Sequence, residues 1–151
     1  TASVPIASLS TTYTGDRDFN AELQNSEWLD GAGFPVATFR STSVELTGAN
    51  TGRMTGDLTI RGQTHPATFD VTFNHAYRQH PLGAPFAELG FSAHGVIKRS
   101  DYGLRVLQPP AGSEAGVSDD VEIIIEAEFQ QPIAAQNANG TPAPAPRPDT
   151  N

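Results

Sequence analysis

Residues 54–73 read MTGDLTIRGQTHPATFDVTF, and apolar or small side chains alternate with polar ones on both sides of a central break. Successive side chains of a β-strand point to opposite faces of the sheet, so a period of two indicates a strand with one apolar face. The pattern runs through 54–60 and again through 67–73. The intervening segment 61–64, RGQT, is short and contains a glycine, which is typical of a hairpin connection. This stretch therefore predicts an antiparallel β-hairpin.

The same alternation recurs along the chain, at residues 2–7, 36–46, 87–98 and 121–129. Pro5 restricts the first segment to an edge strand or a strand start, because proline has no amide hydrogen to donate. In the second segment the alternation slips near Ser43, as a β-bulge would produce. Short strands joined by turns indicate an antiparallel sandwich or barrel, and strands longer than the usual five or six residues favour the barrel.

One segment, residues 16–29 with the sequence DRDFNAELQNSEWL, departs from the strand pattern. Phe19 and Leu23 are four residues apart, which places them on one face of a helix. Thr14 or Asp16 is available as the N-cap residue. The segment predicts a helix of two or three turns that ends before the glycines that follow it.

The C-terminal segment differs in composition from the rest of the chain. Residues 132–151, PIAAQNANGTPAPAPRPDTN, contain five of the 12 prolines. Such a composition favours extended polyproline conformation and provides no apolar core. We therefore divide the chain into a folded domain, 1–131, and a solvated tail, 132–151.

Composition and charge exclude several functions. The chain has 151 residues, no cysteine and a formal net charge of −8, from nine basic and 17 acidic residues. An acidic protein of this kind is a poor partner for nucleic acid or for an anionic membrane surface. The absence of cysteine excludes disulfides, thiolate metal sites and thiol catalysis. Charged residues are only 17% of the chain, which argues against a helical bundle or coiled coil.

The sequence predicts neither a catalytic centre nor a metal site. Ser92 lies in GFSAH, which does not match the G-x-S-x-G turn and sits inside a predicted strand. No metal-ligand spacing connects the histidines, and we interpret His75 and His80 as loop residues at the surface. The alternation places three carboxylates of the last strand on one outer face, where solvation is the simplest interpretation: Glu122, Glu126 and Glu128.

Residues 99–103, RSDYG, follow the fifth strand and place a guanidinium two residues before a carboxylate. Two interpretations are open. Arg99 and Asp101 form either a lock that holds loop backbone at the barrel rim, or a polar rim that orients the head group of a ligand. The lock is the simpler of the two.

These residues also carry a family resemblance. RSDYG resembles the RSDFG motif of the YceI-like family of lipid- or polyisoprenoid-binding proteins. Further segments are similar to motifs of that family in the same order along residues 1–130: FPVATFRST at 34–42, GDLTIRG at 56–62 with THP at 64–66, GFSA at 90–93 and VSDDVEI at 117–123. Arg17, Asp18 and Leu23 resemble its RDxHL helix, but the histidine of that motif is absent here.

The resemblance implies a lipocalin-like antiparallel β-barrel of eight strands with one short helix beside it. It also implies an elongated apolar pore for a polyisoprenoid, a quinone tail or another long lipid, in a periplasmic or otherwise exported bacterial protein that is not an enzyme. No cofactor other than such a bound lipid is expected.

The sequence accounts for about six of the eight strands. We therefore expect this chain to lack the family's N-terminal hairpin, which would precede Thr1, and to have open strand edges at residues 2–8 and 121–129. The barrel is then either left open or completed by a second copy of the chain, as a homodimer, or by another chain.

The alternation assigns one set of side chains to the barrel interior as the expected ligand contacts: Val4, Ile6, Met54, Leu58, Ile60, Phe69, Val71, Phe73, Leu89, Phe91, Ile97, Val121, Ile123 and Ile125. A second hypothesis is a packed structural or interaction domain, such as an appendage of a membrane cytochrome, whose own phenylalanines fill a small barrel. A continuous tunnel would favour binding, and a filled core would favour the packed domain.

Overall fold

A computed structural model describes residues 1–113 and 115–133 of the chain. Its elements follow in the order β1 (Ala2–Pro5), α1 (Phe19–Gln24), β2 (Val36–Leu46), β3 (Thr51–Ile60), β4 (Gln63–Tyr77), β5 (Phe86–Lys98) and β6 (Asp120–Pro132), with 3₁₀ turns at Ile6–Ser8 and Arg99–Tyr102. Residues 134–151, which contain most of the expected tail, lie outside the described residues.

The strands form one antiparallel sheet in sequence order, from β1 to β6. The expectation of an all-β, antiparallel chain with six strands and one short helix is confirmed. Within the described residues β1 pairs only with β2, and β6 pairs only with β5. The sheet is therefore a curled half-barrel with two free edges.

Tight turns and bulges set the register of the strands. Arg61 and Gly62 alone connect β3 to β4, with φ of 51° and 73°, which are the left-handed values of a hairpin turn that matches the twist of its strands. The expected bulge in β2 is confirmed, since the register shifts between Ser41 and Ser43. A second shift lies between Phe73 and His75 in β4, where the alternation of the sequence does not indicate a bulge.

The helix is shorter than the expected span of 16–29, and its N-cap is neither Thr14 nor Asp16. The Asp18 carboxylate accepts a hydrogen bond from Ala21 N at 3.0 Å and caps α1. The Asn25 side chain accepts from the amides of Glu27 and Trp28, so it turns the chain out of the helix after six residues. No helix of the described residues combines the length and the apolar character that a membrane span requires.

The core lies on one face of the sheet, here called the inner face. Its buried residues are Leu58, Ala67, Phe69, Ala93, Tyr102 and Leu104. Tyr102 is 1% exposed and comes from the 3₁₀ turn after β5. The core therefore concentrates at the end of the sheet where the β3–β4 turn, this 3₁₀ turn and the start of β6 meet, which we call the closed end.

Candidate ligand-binding site

Cross-strand register places the expected ligand contacts relative to one another. Met54 lies opposite Phe69, and Phe73 lies opposite Phe91. Leu58 lies opposite Phe39 of β2, which is outside the expected set. Directly paired side chains share a face of an antiparallel sheet. Thirteen of the 14 residues therefore lie on the inner face, and Ile6 is the exception, because β1 ends at Pro5 and Ile6 is buried in a 3₁₀ turn whose amide bonds to Pro35 O.

These thirteen residues divide by burial. Leu58 and Phe69 belong to the buried core, and partly buried side chains pack against them: Ile60, Val71, Ile97 and Ile123. By contrast, Val4, Leu89, Val121 and Ile125 are 46%, 44%, 38% and 37% exposed. The chain thus fills its own interior at the closed end and leaves apolar surface uncovered along both edges and toward the opposite end.

The partly buried and exposed apolar side chains toward the open end of the inner face form an apolar trough. Phe91 lies at its centre, with the ring centroids of Phe73 and Phe129 at 5.5 and 5.9 Å. The trough consists of Leu46, Met54, Val71, Phe73, Leu89, Phe91, Ile125 and Phe129.

Phe39 of this face is missing from the sequence-based set, and so are three large apolar residues that are strongly exposed. Val44 and Leu46 are 66% and 82% exposed, and Phe129 is 61% exposed. The bulge at Ser41 and Ser43 shifts the alternation of β2, so Val44 faces Met54 although its number has the parity of the outer positions before the bulge. For Phe129 the signal was present, since it continues the alternation of the last strand.

Arg99 is buried, at 4% exposure, and its guanidinium bonds to the chain itself. It donates to the carbonyl oxygens of Leu104, Val106, Val117 and Ser118 at 2.7–2.9 Å. A head-group role for Arg99 would require breaking these bonds, so the contacts are those of the lock. Asp101 is exposed and lies beside a shallow cavity on the outer side of the sheet, not in the trough.

A different carboxylate, Asp119, completes the lock. It accepts hydrogen bonds from the Ser100 hydroxyl at 2.8 Å, from the backbone amide of Ser100 at 2.9 Å and from the side-chain amide of Gln108 at 2.8 Å. These hydrogen bonds, the Ser100 hydroxyl foremost, hold the pKa of Asp119 below its usual value. The lock therefore ties the loop that follows Tyr102 to the start of β6 and supports the closed end.

Comparison with known proteins assigns the fold to a family. Residues 1–129 match the sequence profile of the YceI-like domain. The chain belongs to the YceI-like family. A UPF0312 protein of Pseudomonas putida is 34% identical over 119 residues, and one of Pseudomonas fluorescens is 36% identical over 111 residues. The chain covers only 58% and 55% of the lengths of these two relatives.

Solved structures of YceI-like proteins show the same architecture. The YceI protein of Campylobacter jejuni superposes with a TM-score of 0.71 at 27% identity, covering 85% of this chain and 70% of that one. BcnA of Burkholderia cenocepacia superposes with a TM-score of 0.66 at 26% identity, covering 84% and 71%. The expected lipocalin-like fold is confirmed, and the described residues form a curled half-barrel of that fold.

Proposed function

We propose that this chain binds a long apolar molecule, namely a polyisoprenoid, a quinone tail or another lipid, along its inner face without chemical change. The observation that carries the proposal is the trough, in which the Phe91 ring meets Phe73 at a tilt and Phe129 edge-on, beside uncovered aliphatic side chains. Burial of apolar ligand surface contributes about 0.8 kcal/mol per CH₂ group, so several isoprene units are enough for stable binding.

The chemistry of the trough supports a ligand recognised by length and apolar surface. Arg99 is committed to backbone carbonyls, and the trough side chains are aliphatic or aromatic. A ligand that needs no polar contact in the trough matches this surface.

We further propose a periplasmic or otherwise exported location, which fractionation of cells that express the protein tests.

Two neighbouring isoleucines on β6 provide a matched pair for the test. Ile125 pairs with Ala93 on the inner face, whereas Ile124 pairs with His94 on the outer face and is 67% exposed. Purified full chain is extracted with organic solvent, and the extract is analysed by mass spectrometry before and after incubation with a long-chain quinone.

We expect long-chain lipid in the wild-type extract, quinone uptake by the wild type, at least tenfold lower uptake by Ile125→Asn and unchanged uptake by Ile124→Asn. The proposal fails if the wild type carries no long-chain lipid and takes up no quinone, or if the two variants lose uptake equally. The second hypothesis is a packed domain without ligand, and the packed core at the closed end favours it. A wild type without lipid or quinone uptake would support that hypothesis.

A further inference from the structure

The second bulge, in β4, determines the face of the sheet on which His75 lies. Before the bulge, Val71 and Phe73 face the trough, and simple alternation would place His75 with them. The shift between Phe73 and His75 instead sets His75 opposite Gly90 on the outer face. The sequence-based interpretation of His75 as a surface residue in a loop is therefore wrong: it lies within β4, and its side chain is 28% exposed.

Three potential metal ligands meet at this position. Gly90 pairs with His75 on one side and with Glu128 of β6 on the other, and Glu88 lies two residues along β5 on the same face. One nitrogen of His75 and one oxygen each of Glu88 and Glu128 lie within 4.8 Å of one another. His75 Nε2 is 3.0 Å from Glu88 Oε1.

The surroundings hold these ligands in place. A Cβ on residue 90 would lie 2.3 Å from His75 Cε1, so the imidazole rests where only a glycine leaves room for it. The Gln130 amide donates to Glu88 Oε2 at 3.0 Å, which orients the carboxylate and leaves Oε1 directed at His75. Such partners behind the direct ligands fix ligand orientation in metal sites.

The two carboxylates differ in burial, and a cavity connects the cluster with solvent. Glu88 is 6% exposed and is fixed within the sheet, whereas Glu128 on the edge strand is exposed and can rotate toward an ion. A cavity of about 260 Å³, lined in part by His75, Gly90, Glu126 and Glu128, opens beside them. An ion held there has a route from solvent and room for a water ligand, as three-ligand zinc sites require.

We propose that His75, Glu88 and Glu128 bind a divalent transition-metal ion, with zinc as the representative ion, on the outer face of the sheet. One imidazole and two carboxylates are ligands that zinc accepts, with bonds of about 2.0–2.2 Å, and a water completes a tetrahedral site. The ion also neutralises two carboxylates in a chain of net charge −8. The site lies across the sheet from the trough and is independent of the lipid-binding proposal.

The test uses the untagged full chain, stripped of metal with a chelator and titrated with zinc chloride by isothermal calorimetry. The variants are His75→Gln and Glu128→Gln. The control is His94→Gln, because His94 lies on the same face of β5 and contacts one carboxylate, Glu122, at 2.7 Å. Far-ultraviolet circular dichroism establishes that each variant is folded. Glu128 is exposed, so its substitution disturbs the fold less than that of the partly buried His75.

We expect the wild type to bind a single zinc ion, Glu128→Gln and His75→Gln to weaken that binding at least tenfold, and His94→Gln to leave it unchanged. Cobalt(II) added in place of zinc should give a visible absorption band in the wild type that Glu128→Gln loses. The proposal is overturned if the wild type shows no saturable binding, if the Glu128→Gln variant binds as the wild type does, or if His94→Gln weakens binding as much as His75→Gln does.

Discussion

At the scale of single residues, the closed end depends on a few polar side chains that bond to backbone. Arg99 alone bonds to the carbonyl oxygens of four residues in the loop that leads from the 3₁₀ turn to β6. Hydrogen bonds from a charged donor are stronger than neutral ones, and a buried carbonyl left without its donor costs free energy. This single side chain therefore fixes a loop that has little regular structure of its own.

We expect Arg99→Ala to lower the free energy of unfolding by about 3 kcal/mol, because one buried and three partly buried carbonyl oxygens lose their donor together. Arg99→Lys should recover only part of this loss, since an ammonium group cannot reach all four oxygens. Urea denaturation followed by circular dichroism measures both values. An Arg99→Ala variant within about 0.5 kcal/mol of the wild type would show that the lock does not stabilise the fold.

At the scale of elements, close approach between strands is possible where a strand carries glycine. Gly56 is buried in the middle of β3, opposite Ser41 and near the bulge of β2. A Cβ at this position would lie 2.3 Å from Arg40 O and 2.6 Å from Phe39 Cζ. The backbone of β2 has to move before any side chain fits there.

Gly56→Ala is therefore expected to destabilise the protein by about 1–3 kcal/mol, the usual cost of overpacking. Gly52→Ala in the same strand is the matched control, because its Cβ would lie 3.0 Å from Glu45 O and needs only a small adjustment. Thermal and urea unfolding of the two variants should separate them by at least 1 kcal/mol, and equal stability would argue against strand crowding at Gly56.

The period of two made the strands predictable, because side-chain alternation is a local property of a sheet with one apolar face. The helix was overestimated because a side-chain cap at Asn25 ends it, and such competition with the backbone has little periodic signal. The cluster of His75, Glu88 and Glu128 was not predicted, since its members come from three strands and meet only after a bulge sets their register.

At the scale of the whole molecule, an apolar face and two free strand edges coexist with a high negative charge. Phe129 and Leu46 are the most exposed parts of the trough, at 61% and 82%. Apolar faces and unpaired edges favour association between copies of the chain. The net charge of −8 opposes it by electrostatic repulsion, and the range of that repulsion becomes shorter as the salt concentration rises. Ionic strength should therefore control whether the chain remains monomeric when no ligand is bound.

We expect sedimentation velocity to show more dimer or higher oligomer as salt is raised toward about 1 M, where the Debye length falls to about 3 Å. Phe129→Gln should reduce this association, because it removes a large apolar group from the open part of the trough. A monomer at every salt concentration would show that the edges and the trough do not pair between copies.

The bulge between Phe73 and His75 makes this end of β4 sensitive to the number of residues as well as to their identity. Beyond that point the inward and outward positions of the strand are shifted by one residue relative to its first half. Asn74 is the extra residue, so its deletion would make the ladder regular and leave His75 opposite Gly90, on the outer face beside Glu88. The effect of zinc on the NMR signals of the His75 imidazole should therefore survive the deletion, and its loss would show that His75 had moved. One extra residue thus allows His75 to leave the face on which Val71 and Phe73 lie, although all three have odd numbers.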